Sequence, residues 1–188
     1  MDIEIAPDAV PAITPGSHAD PLDFDTCFRD WFASVARTAA LVSRDPVAGP
    51  DLAQEAFTRV LPRWAGLGSE DHARNLIFRT AINLARSHAR RARLASAATL
   101  HLIDRRTETE GGVGPTTDWL DIANALGTVS VRQRECVVLA DYVDLDAATI
   151  GRMLGMREGT VRVHLMRGRR ALRAHLSLPD RPEQEDLR

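Results

Sequence analysis

The chain has no lysine: all 24 of its cationic residues, in 188, are arginine. That excludes Schiff-base chemistry on a lysine amine and a phosphate-binding loop of the lysine type. Aromatic residues are only 5% of the chain, so any core is mostly aliphatic. The two cysteines, Cys27 and Cys136, lie far apart with no C-x-x-C spacing, which leaves no disulfide framework or zinc site to read. Both sit among apolar neighbours and are expected to be small buried residues. The six histidines are scattered and form no H-E-x-x-H pair. No nucleophile, base and orienting acid recur at a recognisable spacing. No catalytic residue, metal ligand or cofactor is therefore expected, and the chain does not read as an enzyme. No apolar run approaches the roughly 18 residues of a membrane span. Residues 1–8 are acidic, unlike a secretory leader. The chain reads as soluble and cytoplasmic.

Apolar residues make up 44% of the sequence, enough for a packed core. The formal net charge of −2 hides strongly unequal blocks. Residues 1–30 carry −6, residues 74–106 carry +7, residues 107–146 carry −6 and residues 147–176 carry +6. Two basic segments separated by an acidic one point to two anion-binding surfaces. Acidic stretches beside the basic ones imply weak binding to nucleic acid by the chain on its own.

The periodicity predicts an all-α chain: two small helical domains joined by a flexible linker, the second a helix-turn-helix. Residues 1–21, with four prolines and four acids, read as a disordered tail. The first domain spans 22–96, the linker 97–117 and the second domain 118–178, with a tail at 179–188. Phe24, Phe28, Phe32, Val35, Ala39 and Val42 recur at helical spacing over 22–43. Gly49-Pro50 reads as a break, with a new helix starting at Asp51 and running to about Leu61. A third helix spans about 72–94. Gly127 ends a helix begun at Asp118, and Ser130 caps another running to about Tyr142. Two further helices, 146–154 and 158–176, flank Gly155. Phe57, Trp31, Trp64 and Trp119 read as core.

Two helical faces stand out. At 100° per residue, Asn75, Arg79, Asn83, Arg86, Arg90 and Arg93 fall within about 40° of one line on the third helix. Ile77, Ala81, Leu84, Ala85 and His88 lie opposite. No acid occurs from Asn75 to Ala98. On the last helix, Val161, Leu165, Gly168 and Leu172 share a sector of about 60°, leaving Arg162, Val163, Met166, Arg167 and Arg170 outside it. An arginine-bearing second helix after a glycine turn fits a major groove, where guanidinium reads guanine or clamps phosphate.

The stretch Ile150-Gly151-Arg152-Met153-Leu154-Gly155-Met156-Arg157-Glu158-Gly159-Thr160-Val161-Arg162, followed by Leu165, Arg167 and Arg169-Arg170-Ala171-Leu172, resembles the promoter-reading C-terminal domain of extracytoplasmic-function sigma factors of the sigma-70 family. Asp51-Leu52-Ala53-Gln54-Glu55-Ala56-Phe57 looks like their core-polymerase-binding helix. Arg79-Thr80-Ala81-Ile82-Asn83-Leu84-Ala85, with His88 and Arg90-Arg91, looks like their minus-ten recognition helix. The resemblance runs from about Leu22 to Leu176. The chain departs from it at Leu76, Ser87, Gly151 and Val163, where tryptophan, aspartate, alanine and serine are common.

The resemblance implies a non-catalytic subunit that directs core RNA polymerase to specific promoters and helps melt the minus-ten element. Asn75, Arg79, Asn83, Arg86 and Arg90 would contact minus-ten DNA. Thr160, Arg162, Val163, Met166, Arg167 and Arg170 would contact the minus-thirty-five element. Asp51, Gln54 and Glu55 would face core polymerase. Promoter DNA and core RNA polymerase are the implied partners, with an anti-sigma factor as a possible third. Two alternatives stay open at this level: a helix-turn-helix regulator of LuxR-like type, suggested by Thr160-Val161-Arg162-Val163-His164-Leu165, and a sigma-like interaction module without promoter activity.

Overall fold

The computed structural model describes residues 22–99 and 117–176. The expected tails, and residues 100–116 of the expected linker 97–117, lie outside these residues, while residues 97–99 and 117 at its ends are helical. Every regular element among the described residues is helical. None of these helices is long and apolar enough to cross a membrane.

Helix α1, Phe24–Ser43, starts where the Asp23 carboxylate accepts the Thr26 backbone N–H at 2.9 Å. It ends at Arg44, which adopts the left-handed conformation with φ 62°. Helix α2, Ala48–Val60, begins three residues before the expected start at Asp51. Gly49-Pro50 is therefore no break. Asp45 accepts the N–H groups of Val47 and Ala48, and a proline in the first helical turn loses a donor that has no intrahelical acceptor. Gly49 is needed for another reason: a Cβ there would lie 2.7 Å from the Ala36 carbonyl oxygen, so the residue lets α1 and α2 approach closely. A short 3-10 turn, Leu61–Gly66, follows. Helix α3, Glu70–Thr99, exceeds its expected limits at both ends. The Ser69 hydroxyl accepts from His72 N–H at its start.

Helices α1, α2 and α3 close around Phe57, which is buried against Phe24, Phe28 and Phe32. Trp64 is buried, and its indole N–H donates to the Leu22 carbonyl at 2.7 Å. Trp31 and Trp119 are half-buried against the core. Cys27 and Cys136 are buried free thiols, with burial pushing both upward in pKa, Cys136 to about 12.

The second half contains α4, Thr117–Thr128, α5, Val131–Val137, α6, Ala147–Leu154, and α7, Glu158–His175. Gly127 lies within the last turn of α4 rather than ending it. Ser130 and Gln133 form a reciprocal capping box at the start of α5. The chain passes from α5 into a π-helical turn, Val138–Tyr142. Gly155 takes φ 68° at the end of α6, a conformation cheap only for glycine. Gly168 brings α7 onto α5: a Cβ there would meet the Val137 side chain at 2.9 Å.

Asp146 caps α6, accepting from Thr149 N–H and from its hydroxyl, each at 2.8 Å. Those bonds, the backbone one first, hold its carboxyl below its ordinary value of 3.8. A lowered folded pKa adds stability that is complete above the ordinary value and fades as pH falls through the folded one. Asp146→Ala should cost about 1 kcal/mol in urea unfolding at neutral pH. The gap from wild type should close as the solution is acidified below the ordinary carboxyl range.

Candidate nucleic-acid interface

Helix α7 buries Val161, Leu165 and Gly168 and exposes Thr160, Arg162, Val163, Met166, Arg167 and Arg170. Glu158 supports the helix start with a negative charge near the positive end of the dipole, and its carboxylate pairs with Arg162 at 2.6 Å. Val163 and Met166 are large apolar side chains left in solvent, 41% and 52% exposed. Arg169 lies on the flank and holds Asp141 at 2.6 Å, tying α7 to the π-helical turn. The first helix of the pair, α6, is locked against α7 through Gly151, where a Cβ would lie 2.7 Å from the Met156 carbonyl oxygen.

Helix α3 buries Ile77, Phe78, Ala81, Ile82, Leu84 and Ala85. Arg79, Asn83 and Arg90 are exposed and Asn75 is half-buried. His88, expected on the packing side, is half-buried and its Nε2 lies 2.9 Å from the Asp45 carboxylate. Arg86 differs from the other arginines of its stripe. It is half-buried, and its Nε–H donates to Glu135 of α5 at 2.7 Å. Glu135 has no exposed side-chain surface and also accepts from Arg132 at 3.1 Å.

On α2, Asp51, Gln54 and Glu55 are exposed while Leu52, Ala53, Ala56, Phe57 and Val60 are buried. Glu55 pairs with Arg59 one turn on, at 2.5 Å. The three polar residues thus form an outward face close to the start of the helix. The polar faces on α2, α3 and α7 are each backed by a packed side.

The sequence pattern of the sigma-70 region 4 family matches residues 119–172, from α4 through most of α7. The RNA polymerase sigma-E factor of Streptomyces antibioticus is 28% identical over 164 residues, 87% of this chain and 90% of that one. The ECF RNA polymerase sigma factor SigM of Mycobacterium tuberculosis is 30% identical over 158 residues, 81% of this chain and 76% of that one. The chain belongs to the extracytoplasmic-function sigma factors of the sigma-70 family. It is a non-enzymatic initiation factor that directs RNA polymerase to specific promoters. The fold agrees: the sigma factor RpoE of Bartonella quintana, solved in complex with the anti-sigma factor NepR, superposes with a TM-score of 0.67 at 18% identity, covering 84% of this chain and 99% of that one. A LuxR-like regulator shares only the recognition-helix pattern and leaves similarity to sigma factors over 81–87% of the chain without explanation.

In this sigma factor the sequence pattern missed Arg134 and Glu135. Arg134 is almost wholly buried and donates to three backbone carbonyls, those of Leu126 at 2.8 Å, Val42 at 3.0 Å and Val129 at 3.5 Å. Burial first, then the neighbouring Arg44 and Arg93, lowers its pKa to about 10, so it stays charged at neutral pH. A signal was available: Glu135 shares a helical face with Val131, Val138 and Leu139, which places a carboxylate on an apolar stripe. A charge there needs a buried partner.

Proposed function

We propose that this sigma factor divides promoter recognition between α3 and α7. Arg79, Arg86 and Arg90, with Asn75 and Asn83, engage the strand of the minus-ten element as it separates. The exposed residues of α7 read the minus-thirty-five element as duplex. Capturing unpaired bases costs a few kcal/mol, which backbone contacts from arginine help offset. The single observation that supports the reading best is the partition of α7. Val161, Leu165 and Gly168 pack inward, while Arg162, Val163, Met166, Arg167 and Arg170 all reach solvent. Val163 and Met166 suit the methyl group of thymine, and the arginines suit guanine edges or phosphate. The N-terminal residues of a recognition helix contact base edges, and Arg162 and Arg167 both precede Arg170 along α7. Alanine at Arg162 or Arg167 should therefore cost roughly 1–3 kcal/mol and relax preference at one or two base pairs. Arg170→Ala should weaken all promoters alike. Transcription by reconstituted holoenzyme over templates randomised in the minus-thirty-five element reads this out. Unaltered selected sequences with both Arg162→Ala and Arg167→Ala would remove α7 as the reader.

Asp51, Gln54 and Glu55 present the polymerase-binding face in this reading. Glu55→Arg should lower affinity for core RNA polymerase at least tenfold while leaving thermal unfolding within a degree or two, because the side chain is exposed and exposed pairs contribute little. A pull-down titration with unchanged affinity would sink the assignment. The site of action is the cytoplasm, where polymerase and promoter meet. Likeness to a sigma factor solved with an anti-sigma factor supports a similar regulator for this one.

A further inference from the structure

We infer that Glu158 positions Arg162 as a reader of base edges and keeps it off phosphate, so that a carboxylate helps set promoter specificity. The inference rests on the reading of α7 as the minus-thirty-five helix.

Residues 147–176 hold seven arginines and one acid, Glu158. That acid is the first residue of α7, at the end whose residues meet base edges in this motif. A carboxylate there repels the phosphates that the arginines attract, so it works against affinity for duplex of any sequence. Its pair with Arg162 also adds little to stability, because the two side chains are 46% and 57% exposed to water. Support of the helix dipole accounts for the charge but not for the pairing.

Side chains on a helix lean toward its N-terminus, so Arg162 reaches back over the turn that carries Glu158. Its Nη2 donates to Glu158 Oε1 at 2.6 Å. A guanidinium has five N–H donors in a planar fork, and this bond uses one of them. A guanine edge takes two of the rest. The carboxylate decides which acceptor the fork prefers. Guanine O6 and N7 are uncharged and meet no like charge beside Arg162. A phosphate is an anion, and on approaching the same guanidinium it is brought against Glu158. Specificity gained in this way comes from penalising the wrong contact.

Other arginines of the helix pair are held differently. Among the described residues, Arg167 and Arg170 have no carboxylate partner. On α6, Arg152 donates to a neutral group, the Thr149 hydroxyl, at 2.8 Å. Nothing in these surroundings bars them from phosphate, and the first helix of such a pair crosses the DNA backbone. Arg162 alone on the outward face of α7 carries an acid that turns it toward bases.

The test uses reconstituted holoenzyme, with the whole chain, on templates randomised in the minus-thirty-five element. Wild type is compared with Glu158→Gln, Arg162→Ala and the double variant. Glu158 is exposed, so Glu158→Gln keeps the fold. It should lower discrimination about tenfold at the base pair that Arg162→Ala relaxes, with preference elsewhere in the element unchanged. It should also raise holoenzyme affinity for templates mismatched at that pair. The fall of log affinity with log salt should steepen by about one, as the freed guanidinium takes a phosphate. In the Arg162→Ala background, Glu158→Gln should change preference no further. Weaker transcription from every template with preference intact would reduce Glu158 to a support of the helix start and overturn the inference. An effect of Glu158→Gln that persists undiminished in the double variant overturns it too, because Glu158 would then touch DNA itself. Failure of the underlying reading looks different. Selection altered by neither Arg162→Ala nor Arg167→Ala removes α7 as the reader. Selection altered by Arg167→Ala alone, or by Arg162→Ala but not by Glu158→Gln, leaves α7 as the reader and removes only the positioning role.

Discussion

Replacing Arg79 and Arg90 together with alanine should slow open-complex formation by about two orders of magnitude. Both side chains are exposed on α3, about 20° apart at 100° per residue, so both can reach the same strand. A hydrogen bond to a charged group contributes about 1.5 kcal/mol, and two lost phosphate contacts therefore remove about 3 kcal/mol, or roughly 150-fold. The loss carries a signature. Each phosphate contact contributes nearly one unit to the dependence of log affinity on log salt, so the double variant should show a slope shallower by about two. Arg86→Ala should have a smaller effect than either exposed arginine, because it removes a DNA contact and an internal one that competes with it. Rates of promoter melting, followed by a fluorescent base in the minus-ten element, read all three. A double variant that melts DNA at the normal rate would make the stripe an ordinary solvated face.

Phe57→Ala should have the largest effect on stability. The ring is 1% exposed, and its centroid lies 4.9 Å from that of Phe28, 6.1 Å from Phe24 and 6.3 Å from Phe32. Truncating such a ring typically costs about 3–5 kcal/mol, the transfer term plus the cavity. That is a large share of the stability of a small domain. Urea unfolding should show the early helices losing structure first, and affinity for core polymerase should fall because the α2 face is no longer held. A variant as stable as wild type that still binds polymerase poorly would make Phe57 an interface residue instead.

Much of this architecture was legible in the sequence, and the reasons differ by element. The aromatic stripe of α1 and the aliphatic stripe of α7 repeat at 3.6-residue spacing against polar neighbours, and Gly155 sits where the turn needs a positive φ. The start of α2 was not legible. Gly49-Pro50 looks like a break, but the proline falls in the first turn, and the glycine serves a close approach to Ala36. The faces on α3 and α7 follow from periodicity, because an arginine stripe opposite an aliphatic one has a single way to pack. What periodicity cannot give is which outward residue meets another part of the same chain. Arg79 and Arg86 are equivalent on a helical wheel, yet only Arg86 has a carboxylate waiting 49 positions away. Helix-period reading of Glu135 places it on a buried face but does not name its partner.

The proposed arrangement puts α7 on minus-thirty-five duplex and α3 on the opened minus-ten strand. It is tested most directly by placing a photo-crosslinking amino acid at Met166 or, separately, at Asn83, in the whole chain assembled with core RNA polymerase on a promoter of mapped start site. Both positions are exposed. The predicted result is a crosslink from Met166 to both strands of the minus-thirty-five element, and from Asn83 to the non-template strand of the minus-ten element. Crosslinks from Asn83 to polymerase alone, or from Met166 to sequence outside the minus-thirty-five element, would contradict it.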